Sequence, residues 1–118
     1  GAKVDVEKSR IDFNPDGVSV EKISIQSAVD TLIAEDRPIA ARWISDEDLL
    51  RQPELIRSMS VSPPMGTGRI RLINIDGVDL QPCGGTHVAS TKEIGNLVIG
   101  KVENKGKYNR RVNVRLED

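Results

Sequence analysis

The chain is short of the residues that most often carry chemistry. Of its 118 residues one is cysteine (Cys83), one is histidine (His87) and one is tryptophan (Trp43), and aromatic residues make up only 3%. A single cysteine excludes an internal disulfide and points to a reducing compartment, read here as the cytoplasm. With so few rings, the core must rest on Val, Ile and Leu. There is no excess of either charge: 17 basic and 18 acidic residues leave a net charge of -1. Global charge therefore does not announce a nucleic-acid binder, and any such surface must be a local patch. No apolar run approaches the ~20 residues of a membrane span, and no basic-then-apolar start suggests a signal peptide. An initial Met is also missing, so the expectation is a piece of something longer or a cloning remnant. What is present, 37% hydrophobic and 30% charged residues, suits one folded domain with a single core.

Periodicity and turn chemistry give the elements. Residues Lys3 to Phe13 read as a strand region ended by the turn Asn14-Pro15-Asp16-Gly17. Ser19 to Glu35 reads as a helix, with Val20, Ile23, Val29, Leu32 and Ile33 at helical spacing and Ser19 as N-cap. It should stop before Pro38. Ile39 to Ile44 predicts a strand containing Trp43, whose side chain is expected in or partly in the core. Ser45 then offers an N-cap, and Asp46, Glu47 and Asp48 offer first-turn acids, to a short helix ending at Leu50. Glu54 to Met59 predicts a helical turn. Arg69 to Ile75 alternates cleanly as a strand, Asp76-Gly77 turns the chain, and Val78 to Gln81 leads into the cysteine loop. Thr86 to Ser90 reads as a short helix or turn, and Ser90 and Glu93 have capping-box spacing. Asn96 to Asn104 and Tyr108 to Leu116 read as strands joined by Lys105-Gly106-Lys107. The pattern is α+β with a mainly antiparallel sheet and a few helices packed on it.

The residues from Leu80 to Gly95, LQPCGGTHVASTKEIG, hold both the cysteine and the histidine. A thiolate and an imidazole four positions apart can face one ion, and both are zinc ligands. Gly84 and Gly85 let the backbone bend between them. Spacing alone leaves two alternatives open. One is a buried cysteine beside a surface histidine. The other is a thiol nucleophile with a histidine base, although such partners usually meet through the fold rather than along the chain.

The wider stretch, QPCGGTHVASTKEIG followed by KVENKGKYNRRVNV, resembles the C-terminal half of the alanyl-tRNA editing domain. That domain occurs inside alanyl-tRNA synthetases and as free-standing AlaX-type deacylases, and threonyl-tRNA synthetase shares its plan. The resemblance is strongest from Arg69 to Leu116 and extends more loosely back through Ser9-Arg10-Ile11-Asp12-Phe13. The details QPCGGTH and NRRV look more like the free-standing proteins. The resemblance implies hydrolysis of the ester joining a wrong amino acid, serine or glycine, to tRNA-Ala. It implies zinc held by Cys83 and His87 together with a His-x-x-x-His pair on an earlier helix. This sequence has no such pair. The simplest account is that the pair lies upstream in a longer protein, so that these residues alone would be inactive. A degenerate member without zinc, or a site completed by acids or by another chain, are the alternatives.

Thr86 and Gln81 would line the pocket of such an enzyme, although Gln81 could equally cap a turn. Lys101, Lys105, Lys107, Asn109, Arg110 and Arg111 gather on one hairpin, where tRNA phosphates could be held. A solvated turn with lysines along a strand edge reads the same way. Gly66-Thr67-Gly68 lacks the lysine of a phosphate loop, and Asp76 and Asp79 are explained by turn formation. Two further function classes stay open: a tRNA-binding or synthetase-associated module without hydrolysis, and an inert structural domain. Core left exposed by a missing segment could also drive self-association.

Overall fold

A computed structural model describes residues 2–4 and 8–117. The fold is α+β, with two antiparallel sheets: one of four strands in the order β1-β2-β7-β6 and one of three in the order β3-β4-β5. The chain divides into two compact units, residues 1–36 with 91–118, and residues 37–90. Among the described residues no helix is long and apolar enough to cross a membrane.

The first unit holds β1 (Ala2–Val4), β2 (Ser9–Phe13), α1 (Lys22–Ala34), a 3-10 turn (Thr91–Ile94), β6 (Asn96–Asn104) and β7 (Arg110–Glu117). The single strand expected over Lys3 to Phe13 is instead two strands, with Ala2 opposite Ile11 and Val4 opposite Ser9. Residues 5–7 lie outside the described residues. The helix starts three residues later than its pattern predicts. Its N-cap is Glu21, not Ser19, and makes no side-chain cap, because the turn at Asp16 and Gly17, both at positive φ, is followed by extended backbone. The shift rotates the inner face. Ile25, Val29, Leu32 and Ile33 turn inward, whereas Ile23 is 83% exposed. Ile99 and Val112 form the buried pair on the sheet. The end of α1 is tied down by Thr91, whose buried hydroxyl donates to the Leu32 carbonyl at 2.6 Å.

Polar side chains hold this unit as much as apolar ones do. The Gln26 amide donates to the Leu97 carbonyl at 2.9 Å and accepts from the Ile99 amide at 2.7 Å. It thus satisfies the outer backbone groups of β6, the edge strand. Arg111 forks onto Asp12 across β7 and β2 at 2.8 and 3.0 Å. That guanidinium holds the Asp12 carboxyl below its ordinary range, and Asp12 in turn raises Arg111. Glu103 is lowered chiefly by a hydrogen bond from Asn113, then by the charges of Lys105 and Lys101.

The second unit holds β3 (Ile39–Ser45), α2 (Asp46–Leu50), α3 (Pro53–Ser58), β4 (Arg69–Ile75) and β5 (Asp79–Pro82). Residues 79–82, expected as a connection, pair with β4, placing Leu80 opposite Asn74 and Gln81 opposite Ile73. Ser45 caps α2 as its sequence predicts, accepting from the Asp48 amide at 3.1 Å. Leu49, Met59, Ile70 and Leu72 form the core, with Ile44, Leu55, Ile56 and Leu80 against it. Each strand has two faces, and α2 and α3 cover the one bearing Ile44, Ile70 and Leu72. Trp43 therefore points the other way, opposite Arg71. It is 55% exposed, not a core residue. Gly66-Thr67-Gly68 forms a clasp, with the amides of Gly66 and Gly68 donating to Asp46 Oδ2 at 3.0 and 3.1 Å. Both glycines have φ near +100° (101° and 94°), a region closed to most side chains. No helix or turn occupies residues 86–90. They are irregular as far as the bend at Ala89, Ser90 bridges to Pro38, and the helical turn comes after them, at Thr91–Ile94.

Candidate metal centre and its surroundings

Strand β5 delivers Cys83 to the end of the three-stranded sheet. Its amide donates to the Arg71 carbonyl at 3.3 Å, continuing the ladder by one residue. Beyond it the chain leaves the sheet, and one side chain reaches over to hold its first residues. Arg71 Nη1 donates to the carbonyls of Cys83 at 3.2 Å and of Gly85 at 2.7 Å. This guanidinium, rather than a helix, fixes the loop.

Cys83 and His87 are both exposed, so the buried-cysteine alternative does not describe them. Their side chains turn toward the same space. A methyl built on Gly85 would lie 3.6 Å from Cys83 Sγ and 4.0 Å from His87 Cε1. Both separations are ordinary van der Waals contact, so the sulfur and the imidazole flank the same position over Gly85. His87 Nδ1 lies 3.1 Å from the Gly85 carbonyl. A carbonyl oxygen only accepts, so Nδ1 is the donor in this contact, and the neutral ring then carries its lone pair on Nε2, the tautomer of a metal-binding histidine. The two donors suit zinc in kind. They do not suffice in number: a zinc site takes three or four protein ligands. Among the described residues no group of three or more His, Cys, Asp and Glu could hold a metal ion.

Thr86 sits exposed between Gly85 and His87. Gln81 shares the face of β5 that leads to Cys83, but its amide is engaged. It accepts from the Ser60 amide at 2.9 Å and donates to Asp79 Oδ1 at 3.0 Å, closing the loop before β4. Sequence reasoning missed Arg71, which alternation alone marks only as an outward strand residue.

The basic hairpin lies in the other unit. Lys105 to Asn109 forms its turn, closed by Lys105 N to Asn109 O at 3.0 Å. Arg110 is turned inward onto Asn104 Oδ1 at 3.0 Å and the Gly106 carbonyl at 2.9 Å. Arg111 is committed to Asp12. Lys101 and Lys105 share Glu103, at 3.7 and 3.5 Å, and Lys107 lies over the Tyr108 ring. Two carboxylates, Glu103 in the hairpin and Asp12 on β2, thus pair with three of these five cations.

Comparison with known proteins bears on both regions. The threonyl and alanyl tRNA synthetase second additional domain matches residues 70–113, from β4 through the CGGTH loop and into β7. The alanyl-tRNA editing protein AlaX-M of Methanosarcina acetivorans is 32% identical over all of this chain and 49% of its own length. AlaX-M of Saccharolobus solfataricus is 33% identical over 95% of this chain and 47% of its own length. The alanine–tRNA ligase of Prochlorococcus marinus is 34% identical over 84% of this chain and 11% of its own length. This chain thus spans about half the length of the AlaX-M proteins it matches. Residues 70–113, which hold β4, the CGGTH loop and most of the hairpin, match the second additional domain of threonyl and alanyl tRNA synthetases, and the chain is a relative of the alanyl-tRNA editing proteins.

Proposed function

We propose that this chain is the part of a zinc-dependent alanyl-tRNA editing deacylase that contributes Cys83 and His87 to the metal. The observation that carries this reading is the convergence of the two side chains over Gly85, in a segment matching the second additional domain. The reaction is hydrolysis. Water adds to the carbonyl of a misacylated serine or glycine, and the bond to the terminal ribose oxygen breaks. Free amino acid and tRNA-Ala leave. Zinc, when bound, would supply a Lewis acid for that step. This chain's own residues do the positioning: His87 offers Nε2, Arg71 braces the loop, and Thr86 presents a hydroxyl beside it. The missing ligands would come from a His-x-x-x-His helix.

The test is loss of the ester from Ser-tRNA-Ala. The 118 residues alone should turn it over little or not at all. The same residues joined to a His-x-x-x-His helix from a relative should hydrolyse it and stop in chelator. Hydrolysis at the spontaneous rate by the joined protein would overturn the reading. One observation favours a second reading, a tRNA-binding module without hydrolysis: the donor set here stops at two. Such a module would retain tRNA in chelator, and the joined protein would hold no stoichiometric zinc.

A further inference from the structure

We infer that Trp43 is a stacking platform for a base at the single-stranded 3′ end of RNA, in a subsite beside the Cys83 loop. The inference rests on the editing reading for its choice of nucleic acid, but its geometry stands apart from the metal. A cleft of about 410 Å³ opens on the face of the three-stranded sheet that bears Trp43, walled by Trp43, Pro64, Arg69, Arg71, Cys83 and Gly84. That volume falls within the roughly 300–1,000 Å³ of small-molecule sites. Trp43, on the edge strand β3, stays more than half exposed. Arg69 places its guanidinium 4.3 Å from the indole centroid, covering part of the ring with positive charge.

The cations here are of one kind. All six in residues 37–90 are arginine and none is lysine. Arginine stacks on flat rings and forks onto phosphate. Among the described residues no carboxylate pairs with Arg69 or Arg71, so the cleft keeps its charge for an anionic occupant. An exposed aromatic ring flanked by unneutralised arginines is the pattern by which single strands are held, base on ring and phosphate on cation. The cleft shares Cys83 and Gly84 with the candidate metal loop. A 3′-terminal base seated on Trp43 would therefore bring the attached ester to the residues that act on it.

Trp43 is the only tryptophan, so its fluorescence reports this cleft alone. The experiment titrates the 118-residue protein with a short single-stranded RNA ending in 3′-CCA, in chelator, and follows both tryptophan quenching and polarisation of labelled RNA. Saturable quenching is expected. Affinity should fall roughly 5- to 150-fold in Trp43→Ala, the range for loss of one stacked base. Trp43→Phe, which keeps a ring, should lose less, and Arg69→Gln should weaken binding. Circular dichroism confirms that each variant is folded. RNA binding with silent fluorescence, or equal affinity in Trp43→Ala and Trp43→Phe as in the original, would overturn the inference and leave the editing reading standing. No RNA binding by the original protein would count against both.

Discussion

On the β2-β7-β6 sheet, cations lie against carboxylates: Arg111 on Asp12, Lys101 and Lys105 on Glu103, Arg115 on Glu117. On the β3-β4-β5 sheet, Arg42, Arg69 and Arg71 have no carboxylate partner among the described residues. Arg69 instead lies over an indole, and Arg71 lies on two carbonyls. In the first sheet Arg10 and Arg110 also lack a carboxylate partner among the described residues, but only the second sheet sets an arginine over an exposed indole. Charge that is neutralised where it stands stabilises the strands carrying it. Charge left without a counterion is available to a ligand, the condition that Arg69 and Arg71 meet beside Trp43.

The comparison can be broken most forcefully through the core. Leu72→Ala should lower the unfolding free energy by about 2–5 kcal/mol, because the side chain is fully buried on the helix-covered face. Urea melting checks it. A loss no larger than that of a surface substitution would mean that the second unit is not built around this face. In the first unit, Gln26→Ala removes two hydrogen bonds to β6, with an expected loss of about 1–2 kcal/mol by the same measurement. No loss would show that solvent satisfies the edge equally well.

Two substitutions sharpen the contrast at the loop. Arg71→Met should weaken cobalt binding in the protein joined to a His-x-x-x-His helix about tenfold, the lower range for partners that orient ligands. Unchanged affinity, read from the cobalt absorption bands, would show that the loop holds itself. Gly85→Ala places a methyl in contact with both Cys83 Sγ and His87 Cε1. It should lower metal affinity while leaving the melting temperature unchanged, and the reverse outcome would make Gly85 a folding residue only.

The smallest effect is that of pH on the paired sheet. Asp12 and Glu103 have lowered values in the fold. Their contribution is complete above the ordinary carboxylate range and disappears as pH falls through the lowered values. Asp12→Asn should therefore flatten the decline in stability on the acid side of about pH 4, as urea midpoints at several pH values would show. An unchanged acid limb would mean that the Arg111 pair contributes nothing net.

Strands β3, β4, β6 and β7 and the cap of α2 were legible because alternation and capping are local. Cys83 and His87 stand out as candidates because their types are rare here and their spacing is short. What stayed hidden was the choice between faces. Trp43 and Ile44 are neighbours and both apolar, so only one can meet α2 and α3. Size would favour the tryptophan, yet the isoleucine packs inward. Ile23 and Ile25 posed the same choice on α1, and it was decided by where the preceding turn released the chain. Gln26 and Arg71 escaped notice because their partners are backbone groups far along the sequence.

The grip of Gln26 on β6 has a consequence for how molecules of this kind meet one another. An unpaired strand edge is a template on which a further strand can grow, in the same chain or the next. Here the carbonyl of Leu97 and the amide of Ile99, two of the positions at which such growth would begin, are already occupied by a side chain from the helix beside them. The helix thus seals that border, and sheet extension on this flank would first have to peel α1 away.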